Sequence, residues 1–263
     1  MSVKSEKAQP LRATERPVSA VFEAYWQAVH VILHTAETAE SDVLQRSAGE
    51  IARRILAGNA LWTFGCTHSA LLVGETVYRA GGLVLANPIF APGLWPGERP
   101  VARTSRLEKT SGFARVVAED VPFKAGDVLL IFSTSGWNAV PVEFAQAAKA
   151  RQVYVIAFTS KEYLKLRDEK HKLHLSDVAD LVVDTHVPVG DVAVALPSRP
   201  DVKAGPVSTL VGAALVNALM AGVADILSAS GMEPPVFRSG NVPGGAEVNA
   251  QLMEEYRDRI HYL

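Results

Sequence analysis

Cysteine is nearly missing from this chain: Cys66 is the only one among 263 residues. An internal disulfide is thereby excluded, as is any zinc site built on thiolates, and a lone thiol suits a reducing compartment. An excess of one charge sign is missing too. The net charge is −2 and no basic run exceeds a few residues, so nothing draws the chain globally to nucleic acid. Neither the Gly-rich dinucleotide fingerprint nor the Walker lysine follows any predicted strand, which sets a nucleotide-binding reading well back. Met1–Pro10 lacks the apolar core of a secretory signal. Residues 1–17 are expected to be a frayed tail ahead of a single domain over 18–263, in a cytoplasmic protein.

One long hydrophobic run is present. Leu210 to Leu227 is almost wholly apolar and near the length of a membrane span. It carries Asn217 and Asp225, is rich in Ala and Gly, and has no flanking basic cluster. Those features favour a buried helix of a core or a dimer interface, with no membrane partner.

Periodicity organises the rest. Val18, Val21, Phe22, Tyr25, Trp26, Val29, Ile32, Leu33 and Ala36 recur at helical steps and predict one long amphipathic helix. Leu44, Ala48, Ile51 and Ile55 predict a second, stopped by Gly58-Asn59. Strands are expected at Ala60–Phe64, from Leu83 to Ala86, and at Asp127–Phe132, Val153–Phe158 and Leu181–Asp184. Helices are expected over Ala70–Arg79, near Gly112–Glu119, after Asn138, from about Val207, and in the closing segment. Residues 87–109 read as a long Pro- and Arg-containing connection, and such loops are usually functional or mobile. Strands alternating with helices predict an α/β fold, a doubly wound five-stranded parallel sheet flanked by helices, with N-terminal helices and a C-terminal tail.

Ligands of such sheets bind beyond the carboxyl ends of the strands. Two hydroxyl-rich turns fall there, Gly65-Cys66-Thr67-His68-Ser69 and Ser133-Thr134-Ser135-Gly136. The second lies between an apolar strand and a helix start, where free N–H groups and the helix dipole favour an anion. Gly136 would let the backbone approach a ligand closely. A phosphate cradle and an ordinary capped turn are both consistent with these four residues alone.

The ordered set is more specific than either turn. Gly65-x-x-His68-Ser69 leads into Glu75-Thr-Val-Tyr78-Arg79-Ala80-Gly81-Gly82. Then come Ser133-Thr-Ser-Gly136, Asn138-Ala-Val-Pro141-Val-Glu143, Gly190-Asp191, Gly205-Pro-Val-Ser208-Thr209, Pro234-Pro235-Val-Phe237 and Gly244-Gly245-Ala-Glu247-Val-Asn249. This series, from about residue 18 onward, resembles stand-alone members of the sugar isomerase (SIS) domain family. The resemblance implies a Rossmann-like domain that binds phosphorylated sugars without a cofactor, in a homodimer or higher oligomer whose protomers share the site. Members usually carry a second Gly where Thr67 stands, and many carry a basic residue where Trp137 stands. Phosphate would then rest on backbone N–H groups, hydroxyls and Asn138.

The resemblance makes a Glu on the helix of Glu75 the base, as in several members; His68 lies at the binding edge, and either Glu75 or His68 could remove the proton. The seven-residue spacing would place both on one helix face. Binding candidates are Cys66, Thr67, Ser69, Ser133, Thr134, Ser135, Gly136 and Asn138, with Ser208 and Thr209 at the last apolar helix and Asn241 in the tail. Ser208-Thr209 reads equally well as a plain N-cap. Cys66 has no base placed on it and suits packing better than nucleophilic work. His171 and His174 lack a third ligand nearby, so no metal is expected. Proton abstraction at C2 of an amino-sugar 6-phosphate would give an enolate, leading to dehydration of N-acetylglucosamine 6-phosphate or to aldose–ketose isomerisation. A non-catalytic phosphosugar sensor is the alternative from a different class.

Overall fold

The computed structural model describes residues 19–169 and 173–263. The expected tail over 1–17, Val18 and His171 lie outside the described residues.

Alternation of strand and helix builds the sheet as the pattern predicts. Helices α1 (Ser19–Ala39) and α2 (Ser41–Leu56) precede β1 (Leu61–Gly65), α3 (Ala70–Thr76) and β2 (Ala86–Ile89). Then come α4 (Ala102–Leu107), α5 (Phe113–Glu119), β3 (Val128–Phe132), α6 (Ala139–Ala150), β4 (Tyr154–Thr159) and β5 (Leu181–Asp184). The order across the sheet is β2-β1-β3-β4-β5, and every pairing is parallel. Strand β1 lies inside the sheet, with Leu61 opposite Ala86 on one side and Val128 on the other. The chain first winds towards β2 and then returns past β1 to β3. The sheet therefore has its switch point between β1 and β3, where doubly wound folds open a crevice for ligands.

The five consecutive apolar residues of β3 explain why it is central. All are buried, and alternation sends Val128, Leu130 and Phe132 into one core and Leu129 and Ile131 into the other. The first core lies under α1, α2 and α7 (Ser208–Ala229); the second lies under α4, α5 and α6. Phe132 packs on Phe158 in the first, and Phe64 stacks on Phe144 at 4.0 Å in the second. Burying each such side chain contributes roughly 1.5–3 kcal/mol, which fixes both the register and which helix layer covers which face.

Four boundaries differ from expectation. Strand β2 starts at Ala86: the apolar Leu83–Leu85 are buried, but Leu83 bridges antiparallel to Val236 of the tail. Helix α3 stops at Thr76 because Val77 is extended and Tyr78 takes a positive φ. The long connection holds β2 and α4. The expected loop before α7 contains an antiparallel hairpin, β6 (Val194–Leu196) and β7 (Arg199–Ala204). Its polar, exposed β7 carries Pro200, as an edge strand tolerates. Helix α7 is long and apolar enough to cross a membrane by composition, yet it packs on α2 and α3 and buries Val211, Leu215, Leu219 and Val223. Helix α8 (Gly245–Glu255) closes the order.

The long stripe of α1 is only half covered. Val29 and Ala36 are buried, whereas Phe22 is 62% and Trp26 is 55% exposed.

Candidate functional site

Both hydroxyl-rich turns emerge side by side at the carboxyl ends of β1 and β3, the switch point of the sheet. Their donors are used differently. In the first turn Thr67 donates its N–H to Leu94 at 2.8 Å, and Ser69 to Cys66 at 3.0 Å. Gly65 is needed because a Cβ there would lie 2.6 Å from the Ser69 carbonyl oxygen. Thr67 has φ +54, the conformation a glycine would adopt freely. His68 sits exposed in a 3-10 turn over Thr67–Ser69, ahead of α3. The two-turn spacing to Glu75 therefore does not run along one helix, and the expectation of a shared helical face is corrected on that ground.

In the second turn Ser133 is buried, and its hydroxyl accepts the Gly136 N–H at 3.3 Å. The Thr134 carbonyl accepts the N–H of Ser160 at 3.0 Å. Thr134 and Ser135 are half-exposed, and their N–H groups and hydroxyls donate to none of the described residues. These uncommitted donors stand directly before α6, whose dipole adds to their pull on an anion.

The back of this turn is rigid. At Gly136, φ is +69, and a Cβ would lie 2.2 Å from His174 Nε2 and 2.5 Å from Thr159 Oγ1. Leu175 donates its N–H to the Gly136 carbonyl at 2.7 Å. His174 is buried; its Nδ1 accepts the Ser176 N–H at 3.1 Å and its Nε2 lies 3.5 Å from Thr159 Oγ1. Burial holds its pKa below the usual imidazole range, only partly countered by Asp177. His174 thus serves as a neutral wedge behind the turn.

Two acidic and basic groups beside the turn escaped sequence reasoning. Glu108, which follows α4, is buried, and burial raises its carboxyl above the usual range despite a hydrogen bond with Asn138. Its carbonyl accepts the Val140 N–H at 3.0 Å, so it also closes the first turn of α6. Lys109 lines a cleft of about 600 Å³ with Trp137, Asn138 and Glu143. A basic side chain thus lines the same cleft as Trp137 and Asn138. Trp137 itself meets Tyr163 edge-on at 5.3 Å. Neither Glu108 nor Lys109 carried a periodic signal, since both sit in the segment read as a connection.

Cys66 is corrected as a ligand contact. Its side chain belongs to the second core, and burial, with Glu108 adding to it, pushes its thiol well up. Only its backbone borders the turn. Ser208 is likewise committed within the chain. Asp191 accepts the N–H groups of Val207 and Ser208 at 3.0 and 2.7 Å, and the Ser208 hydroxyl at 2.6 Å. Thr209 follows it in the same first turn of α7 and is half-buried.

Glu75 belongs to a second group. It is half-buried, pairs with Arg79, and accepts a hydrogen bond from Asn217 at 2.7 Å. Arg79 also lines a cleft of about 350 Å³ with Tyr78, Phe237 and Asn241. Asn241 is exposed there and is not among the residues lining the cleft at Trp137 and Asn138. A groove of about 770 Å³ lies between α1, α2 and α7 and is lined mainly by Ala and Leu. It offers few convergent donors and suits chain packing better than a polar ligand.

A 2-1-3-4-5 parallel sheet with an amide- and hydroxyl-lined turn at its switch point defines an α/β domain of the sugar isomerase type. The profile of the SIS domain matches residues 24–160, and the chain belongs to that family. A UPF0309 protein of Shouchella clausii is 37% identical over 243 residues, covering 92% of this chain and 98% of that protein. A UPF0309 protein of Streptomyces coelicolor is 40% identical over 234 residues, covering 88% and 93%. Among solved structures, a phosphoheptose isomerase from Francisella tularensis shares the fold at a TM-score of 0.50 and 15% identity, over 78% of this chain and 95% of that one.

Proposed function

We propose that this protein binds a phosphorylated amino sugar at the Ser133–Gly136 turn and abstracts the proton at C2 of its open-chain form. The supporting observation is the set of uncommitted donors on Thr134 and Ser135 at the switch point, braced from behind by His174. Phosphate would accept from those N–H groups and hydroxyls, with Asn138 alongside and Lys109 supplying the positive charge. Membership of the SIS family and the fold shared with a phosphoheptose isomerase support a phosphosugar ligand.

Glu75 is the proposed base. A carbonyl at C1 acidifies the C2 proton, and its removal leaves an enolate spread over C1 and C2. With an acetamido group at C2, the electron pair is directed to expel the C3 hydroxyl, which leaves as water once His68 donates a proton. The product is a 2,3-unsaturated aldehyde, so the reaction is dehydration of N-acetylglucosamine 6-phosphate. Arg79 and Asn217 orient the Glu75 carboxylate. Their hold on it also supports the sensor reading, in which the sugar phosphate binds and no proton moves.

The assembly we propose is a homodimer. Only 44% of the most apolar window of α7 is buried within the chain, and the Ala- and Leu-lined groove beside it awaits a second copy.

Incubation with N-acetylglucosamine 6-phosphate in deuterated water tests the chemistry. A new ultraviolet chromophore is expected with the wild type and none with Glu75→Gln. Deuterium at C2 of recovered substrate without a chromophore, together with turnover of a phosphorylated aldose bearing a C2 hydroxyl to a ketose deuterated at C1, would replace dehydration by isomerisation. Binding without exchange would establish the sensor.

A further inference from the structure

We propose that Glu40, Asp184 and His186 form a binding site for one divalent transition-metal ion of the zinc class. Glu40 is the single residue between α1 and α2, Asp184 ends β5, and His186 follows two residues later with φ +53. Topology thus brings an N-terminal helix junction onto the carboxyl edge of the sheet.

The two carboxylates are buried, with side chains 8% and 10% exposed, and the imidazole is 25% exposed. Among the described residues neither carboxylate pairs with a Lys or Arg; His186 is the partner of both. Buried carboxylates this close repel strongly unless a cation lies between them. A divalent ion offsets both and takes the neutral imidazole as a ligand.

The geometry is prepared for that ion. One ligand atom from each residue lies within 4.8 Å of the other two. Glu40 Oε1 and His186 Nε2 are 3.0 Å apart, a hydrogen bond that an ion would replace. Glu40 Oε2 accepts the Asp184 N–H at 3.0 Å, and Asp184 Oδ1 accepts those of Lys161 and His186 at 3.1 and 2.9 Å. Such backbone bonds orient metal ligands from outside the coordination sphere. Asp184 Oδ2 accepts no hydrogen bond from a described residue and stands 4.0 Å from His186 Nδ1, whereas Glu40 meets the other ring nitrogen, so an ion would take one of the two nitrogens and draw the second carboxylate to it.

The site is also placed to matter. Thr185 donates its N–H to Thr159 at 2.9 Å, and Ser160 joins Val187 at 2.6 Å to Thr134 at 3.0 Å. An ion between Glu40 and His186 would brace the wall behind the cradle without touching the ligand.

The full chain, stripped with chelator and titrated with zinc chloride in a calorimeter, is expected to bind one equivalent. At hundredfold excess over Kd, Tm should rise by about 5 °C. Glu40→Gln and His186→Asn should each weaken zinc at least tenfold, and the exposed control His34→Ala should leave it unchanged. Because Glu40→Gln also disturbs a buried junction, cobalt in the wild type gives a second reading. Visible ligand-field bands without a thiolate charge-transfer band are expected, and that band would point to Cys66 and overturn the assignment. Absence of stoichiometric binding, or wild-type affinity in both variants, would overturn it equally.

Discussion

The turn at Ser133–Gly136 and the start of α7 at Val207–Thr209 look alike in sequence, each a hydroxyl-rich step into an apolar helix. In the structure they are opposites. At α7 the carboxylate of Asp191 takes two N–H groups and the Ser208 hydroxyl, so the helix start is closed by the chain itself. Ahead of α6 the donors of Thr134 and Ser135 stay uncommitted among the described residues, and the bracing groups stand behind the glycine. A hydroxyl motif is therefore a ligand site only where its donors remain uncommitted. The same kinds of donor are closed off in one place and left open in the other.

Substitutions at the two turns should separate stability from binding. The largest effect is expected at Gly136→Ala, where the new Cβ meets a buried ring and a left-handed backbone at once. A loss of about 3 kcal/mol, seen as a lower urea midpoint, should accompany loss of phosphosugar binding. Next comes Asp191→Asn. Asn tolerates the φ of +56 at that position but lacks the full charge. It should cost about 1 kcal/mol in stability while leaving phosphosugar affinity unchanged. Weakened affinity there would erase the contrast.

Thr134→Val removes only a hydroxyl and should do the reverse. Affinity for a sugar phosphate should fall about tenfold by calorimetry, with Tm unmoved. A stability loss without a binding loss would make the cradle another cap.

Acid should loosen the cradle earlier than it loosens α7. His174 titrates below its unfolded value, so the unfolded chain takes up a proton that the folded chain resists. Its contribution to stability is complete above the ordinary imidazole pKa of about 6.5 and is lost as pH falls below it. Tm should drop between roughly pH 6.5 and 5 more steeply in the wild type than in His174→Gln. Equal slopes would remove His174 from the account. The smallest effect is expected at Thr67→Gly, which relieves a β-branched residue at φ +54. Part of that gain is offset by greater freedom in the unfolded chain, leaving about 0.5 kcal/mol of added stability in denaturant titrations.

Much of this was legible in the sequence. The apolar runs of β1, β3, β4 and β5 have no alternative to a buried parallel sheet, and their order placed both turns at one edge. The departure at Thr67 from the usual glycine was visible too, although its left-handed backbone emerged only in the structure. Legibility failed where tertiary partners decide. Leu83–Leu85 read as strand because they are apolar, yet Leu83 bridges to the tail; Asn87-Pro88-Ile89 looked like loop and pairs with β1. His174 seemed a charged-segment residue until the fold set it against Gly136. The roles of Asp191 and Glu108 rest on contacts that no spacing rule encodes, and Glu40 meets Asp184 across 144 positions of sequence.

Isothermal titration of the full chain with N-acetylglucosamine 6-phosphate and with N-acetylglucosamine, repeated on Thr134→Val, is the most direct measurement. Saturable heat with the ester alone, diminished in the variant, is the predicted result. Indistinguishable heats from the two sugars, or undiminished affinity in the variant, would contradict a phosphate cradle at the α6 turn.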